Sequence, residues 1–211
     1  MTMDRLFARA ASALVVGGLF LGAAGCGKKS EDRAAGGTTG DNPPPRAAAG
    51  NGMTAAGLGW SAPESWIIEA PESSMRIAQY RLPSGREGVE DGLVTVFHFG
   101  PGGGGGIDAN IQRWANQFRQ EDGSDPMSKA VTARFDSGPL KISTIELSGR
   151  YTTSNMMGGG RTYDEPGWRL IGGILEGPGG PWFFKGVGPA EVVQAHRDGF
   201  VGLLRSAHPA G

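Results

Sequence analysis

All five tryptophans of the chain lie at or beyond Trp60, whereas Gly27–Leu58 holds no aromatic residue and almost no large apolar side chain. A hydrophobic core can therefore be built only from about residue 59 onward. The 153 residues from Gly59 to Gly211 are enough for one domain that buries most of its unfolded surface and folds unaided. Over that stretch 14 Lys+Arg stand against 17 Asp+Glu, a net of −3, and the whole chain carries −1. That balance argues against a nucleic-acid partner, which would need a basic surface to displace counterions from phosphates. Glycine supplies 38 residues and proline 14, about a quarter of the chain, so part of it falls in the range of low-complexity sequence. The single cysteine excludes an intrachain disulfide and a Cys-rich zinc site, and three scattered histidines offer no metal cluster. No cofactor is implied.

The N-terminus reads as an address. Arg5 and Arg9 precede the uncharged apolar run Ala10–Leu21, which at 12 residues is too short to span a bilayer. Gly22-Ala23-Ala24-Gly25 follow, and then the lone cysteine, Cys26. A positive start, a short apolar stretch and small residues form the pattern of a secretory signal. With Cys26 directly after it, the segment resembles the bacterial lipoprotein signal. It departs from that pattern at Ala23, where the family usually carries leucine. The resemblance implies cleavage after residue 25, lipidation of Cys26 and stable membrane anchoring through its acyl chains. Gly27, rather than aspartate, after the cysteine points to the outer membrane, with the protein facing the periplasm. Residues 26–58 are expected to form a disordered tether, since Gly, Pro, Ala, Thr and Asn cannot bury enough area to offset the entropy of ordering.

Residues 59–206 read as a single α+β domain, with 207–211 as a tail. Strands are expected at Glu64–Glu69, Met75–Leu82, Leu93–Phe99, Lys129–Asp136, Leu140–Ser148, Trp168–Glu176 and Trp182–Val187, bounded by Gly and Pro turns. Leu93–Phe99 is apolar or β-prone on both faces, as a strand covered on both sides would be. Two segments show the helical period instead. Ile107, Ile111, Trp114 and Phe118 recur at spacings of 4, 3 and 4, and Val192, Val193, His196, Phe200, Leu203 and Leu204 make a stripe after Gly188-Pro189. The expectation is an antiparallel sheet of about six or seven strands packed by two helices. The Trp66 strand, the Trp114–Phe118 helix and the closing helix ending Leu204-Arg205-Ser206 resemble the PsbP-like domains. That resemblance implies an α/β/α sandwich acting as an assembly or interaction module, with no catalytic motif to place.

The Gly100–Gly106 run lies between a strand and a helix, where phosphate loops occur, but no Gly-Lys-Ser/Thr follows and no acid stands at the dinucleotide spacing. It is read as a flexible linker. No serine-nucleophile elbow or His-Glu-x-x-His pair occurs. Glu90-Asp91 and Asp164-Glu165 read as solvated loop acids, and Asp122–Asp125 lacks the ligand spacing of a calcium loop. Tyr151–Asp164, with Met156-Met157 before three glycines, reads either as an adaptable contact loop or as an insertion between hairpins. The sequence thus points to a non-catalytic envelope lipoprotein contacting the membrane through its anchor and an envelope protein through its domain. Gly102, Gly103, Gly104, Met156 and Met157 are its candidate contact residues. The alternative is a small-ligand domain enclosed by Gly100–Gly106 and Tyr151–Asp164.

Overall fold

A computed structural model describes residues 46–47, 51–153 and 162–210. Cys26, its signal and the tether up to residue 45 lie outside the described residues, as do Met156 and Met157. Among the described residues twelve strands and four helices follow one another: β1 (Arg46–Ala47), β2 (Gly52–Ala55), β3 (Leu58–Ser61), β4 (Ile67–Glu69), β5 (Arg76–Leu82), β6 (Gly92–His98), α1 (Ile107–Ala115), β7 (Phe118–Arg119), α2 (Pro126–Lys129), β8 (Val131–Ser137), β9 (Leu140–Thr153), β10 (Tyr163–Gly177), β11 (Gly180–Pro189), α3 (Ala190–Ala195), α4 (Arg197–Ser206) and β12 (His208–Pro209).

The expected α+β architecture is present: a mostly hairpin-built antiparallel sheet with helices against it. Its strands run β4-β5-β6-β11-β10-β9-β7, with β8 joining β9 further along the same edge. Adjacent residues of β10 and β11 point to opposite faces, and both faces are covered. Ile171, Leu175, Trp182 and Phe184 face a core closed by α3, α4 and β3. Leu170, Ile174 and Phe183 face a second core closed by α1. Trp114 and Phe200 are buried at 6% and 1% exposure, as the two apolar stripes require.

Gly172 and Gly173 in the middle of β10 explain how close these helices come. A Cβ on Gly172 would lie 2.5 Å from the Trp114 ring, and one on Gly173 would lie 2.6 Å from Leu204. Real carbon atoms do not approach so closely, so each glycine admits one side chain from the helix on its own face.

The structure corrects the sequence reading at four places. First, the tether does not reach residue 58. Gly52–Ala55 pairs with Leu58–Ser61, and Met53 and Leu58 are buried in the α4-side core at 5% and 0% exposure. Two well-placed apolar side chains and a hairpin partner outweigh the low-complexity composition around them. Second, the tail residues His208 and Pro209 pair with β3, and Ala207 is buried. Together with β1 and β2 they build a four-stranded second sheet. Third, α1 stops at Ala115. Phe118 leaves the helix to pair with Tyr151, because the Gln117 carbonyl accepts from Thr152 N–H at 2.7 Å and draws the chain onto β9. Fourth, the last helix is broken into α3 and α4 at His196. There the imidazole is held from both sides, by Trp66 Nε1–H donating to Nδ1 at 3.0 Å and by Nε2 against the Pro83 carbonyl at 3.0 Å.

The short α2 was also unexpected. Asp125 caps it by accepting from Met127 N–H, with Pro126 in its first turn.

Candidate functional site

α1 packs against β9 and β10. Lys185 of β11 stands where the charges of Arg113 on α1 and Arg76 on β5 both act on it. Lys185 lies on β11 beside Phe183, with Cα opposite Thr95 of β6, which in turn faces Gln79 of β5. Its ammonium donates to Gln117 Oε1 at 2.5 Å and to the Tyr151 hydroxyl at 3.3 Å, and it stands 5.4 Å from the centre of the Tyr151 ring. Arg76 of β5 donates to Gln79 Oε1 at 2.5 Å and to Glu72 at 3.0 Å. Arg113, exposed on α1, donates to Asn110 Oδ1.

The electrostatics follow from this crowding. Lys185 keeps a little surface, but its ammonium is enclosed. Burial, then the nearby positive charges of Arg113 and Arg76, push its pKa down to about 7. Burial likewise pushes the Tyr151 phenol up to about 12, so its hydroxyl stays protonated and can donate. Tyr151 itself is fixed by Trp168 stacked at 5.5 Å and by Tyr163 at 5.3 Å. Among the described residues no carboxylate lies within ion-pair distance of Lys185 or Arg113; Arg76 has Glu72 alone. The other acids here are engaged elsewhere, with Glu69 and Asp91 both held by Arg81.

Other titratable residues are committed to structure. His98 stacks on Trp182 with ring centres 4.1 Å apart and bonds the Pro181 carbonyl. Asp122 accepts from Ser124 and pairs with Lys129, and the Ser124 hydrogen bonds hold it at about 2. Asp164 pairs with Arg150. No group of His, Cys, Asp or Glu among the described residues could hold a metal ion.

The candidate contact residues fare differently. Gly102, Gly103 and Gly104 sit in a turn at the N-terminal end of α1. Asn110 Nδ2 ties that turn to the helix by donating to the carbonyls of Gly104 and Gly106, both at 2.8 Å. Asp108 occupies the first turn of the helix and is ion-paired with Arg134 at 2.7 Å. The run is therefore a packed turn, neither a loose linker nor a phosphate cradle. The described ends of Tyr151–Asp164 are strand, with Thr153 opposite Tyr163. These ends lie by the C-terminal end of α1, where Thr152 N–H donates to the Gln117 carbonyl, whereas Gly102–Gly104 lie at its N-terminal end. Lys185 carried no motif in the sequence. Its one signal was a lone cation in the apolar run Trp182–Val187.

No family model matches the chain, and no curated protein matches it. Among solved structures it is similar to cyanobacterial PsbP (CyanoP) from Synechocystis sp. PCC 6803. That likeness has a TM-score of 0.45 at 10% identity and covers 73% of this chain and 87% of that one. It is also similar to PA94, a protein of unknown function from Pseudomonas aeruginosa, with a TM-score of 0.41 at 8% identity over 69% of this chain and 98% of that one. Neither likeness bears on activity.

Proposed function

We propose that this chain is an envelope lipoprotein, anchored through Cys26 in the outer membrane and facing the periplasm, whose domain is a non-catalytic interaction or assembly module. The observation that carries the interaction role is the outer edge of β4, which no other strand pairs among the described residues. It ends the larger sheet, and Ile67 and Ile68, on opposite faces, are each 40% exposed. An edge with unpaired backbone groups and apolar side chains on both faces is a template for strand addition by a partner. The anchoring role is supported by the Met1–Cys26 pattern. The commitment of His98 and His196 to aromatic packing and backbone carbonyls supports a role without acid–base chemistry.

A photo-reactive amino acid at position 68, with one at exposed position 134 as control, tests the module in intact cells. A discrete cross-linked protein adduct is expected at 68 alone. Uncross-linked chain at both positions would refute the interaction role. In the same cells Cys26→Ser should release the chain from membranes washed with high salt, and continued pelleting would refute the anchor.

A further inference from the structure

The geometry points to a binding site for a free α-amino acid, in the groove between the first turn of α1 and strands β8, β9 and β10. The site is independent of the anchor and of the β4 edge, since β8 and β9 belong to the other end of the sheet. The groove holds about 700 Å³, within the range of small-molecule pockets. Gly106, Ile107, Asp108 and Ala109 line it from the helix side. The first helical bond runs from Asn110 N–H to the Gly106 carbonyl at 3.1 Å, and no side chain caps the helix at Gly106. The N–H groups of Ile107, Asp108 and Ala109 are therefore left for a carboxylate in the groove, at the positive end of the helix dipole. Ser143 of β9 lines the same groove at 6% exposure, and its hydroxyl makes no hydrogen bond among the described residues. A polar side chain so deeply buried without a protein partner marks where a polar group of the ligand belongs.

The charges of the groove select a zwitterion. Asp108 is taken up by Arg134 at 2.7 Å. On the sheet side, Asp136 of β8 stands opposite Lys141 of β9, which stands opposite Glu176 of β10, and all three line the groove. Directly opposed residues share a face of the sheet, so two carboxylates flank one ammonium. None of the three forms an ion pair among the described residues. The row carries one negative charge in excess, which suits the ammonium of a ligand, while the start of α1 suits its carboxylate. A phosphate dianion would be repelled by the same acids. Asp108, Arg134 and Ser143 also line an adjoining cavity of about 370 Å³ with Ile111 and Met127, which gives an apolar side chain somewhere to lie.

L-leucine and L-serine, titrated calorimetrically into the purified full chain at fixed ionic strength, test the site. Saturable binding of at least one is expected. Its N-acetyl derivative, which lacks the ammonium, and its amide, which lacks the carboxylate, should each bind about tenfold or more weakly, as loss of one charge-assisted contact implies. Asp136→Asn, Glu176→Gln and Ser143→Ala should each weaken binding of the parent amino acid by a similar factor. Asp198→Asn, which removes an exposed acid on α4, should leave it unchanged. Asp136 and Glu176 are exposed, so their variants remain folded even if the Ser143 one does not. Absence of binding by both amino acids would overturn the proposal. So would a derivative that binds as tightly as its parent, or a loss in Asp198→Asn equal to that in Asp136→Asn and Glu176→Gln.

Discussion

Gly104 shows how a residue that looks dispensable becomes fixed. Its φ is +77°, and a Cβ there would stand 2.5 Å from the Phe183 ring. A side chain therefore meets both a left-handed backbone and an occupied space. Gly104→Ala is expected to lower the unfolding free energy by about 2 kcal/mol or more, as strain and overpacking together imply. Gly202→Ala, on the exposed side of α4 with nothing within 4 Å of the added carbon, should instead raise it by roughly 0.5–1 kcal/mol. Urea denaturation of both variants checks the pair, and equal effects would refute the reading. Nothing in the run Gly100–Gly106 announced this difference. Phe183 lies some eighty residues away, so a rigid turn and a slack linker share one local sequence. Lys185 was obscure for a related reason: only the pairing of β5, β6 and β11 brings it toward Arg76.

Elements were legible where their period was strong and their partners nearby. The stripes of α1 and α4 and the hairpin of β10 with β11 follow from spacing and turn residues. β2, β12 and the ends of β9 and β10 did not show themselves, because each is held by a neighbouring strand and not by its own pattern. The helices lie on opposite faces of β10, so they should fail independently. Ile111→Val in α1 should cost about 0.5–1.5 kcal/mol and Leu204→Ala in α4 about 2–5 kcal/mol, from lost transfer energy and the cavity left behind. In the double variant the two losses should add within about 0.5 kcal/mol. A larger discrepancy would show that the sheet between them transmits packing changes.

Across the whole domain, charge is arranged to two different ends, and pH separates them. Glu146 ties β9 to β10 and α4 through Arg169 at 2.5 Å and Arg197 at 2.8 Å. Burial pushes this carboxyl upward, but the two guanidiniums outweigh it and hold it below its ordinary range. A depressed carboxylate contributes stability that is present above its unfolded pKa and is lost as pH falls through the folded one. Glu146 therefore holds the fold together at neutral pH and releases it in acid. Lys185 gives the same direction of pH dependence in a higher window, but as a cost to the fold. Its folded pKa of about 7 lies below the ordinary 10.5, so between those values the unfolded chain binds a proton that the native one does not, and stability rises with pH. At neutral pH the enclosed amine is thus a cost to the fold. Lys185→Met should be more stable relative to the parent at pH 7 than at pH 9.5, the advantage shrinking steadily between them. The range stops at 9.5 because Tyr80 and Tyr151, both raised to about 12, bring their own loss of stability once unfolded tyrosines ionise near 10. Urea denaturation of the two proteins at half-unit pH steps measures the trend. A difference independent of pH would mean that Lys185 titrates like a surface lysine and that its enclosure costs the fold nothing.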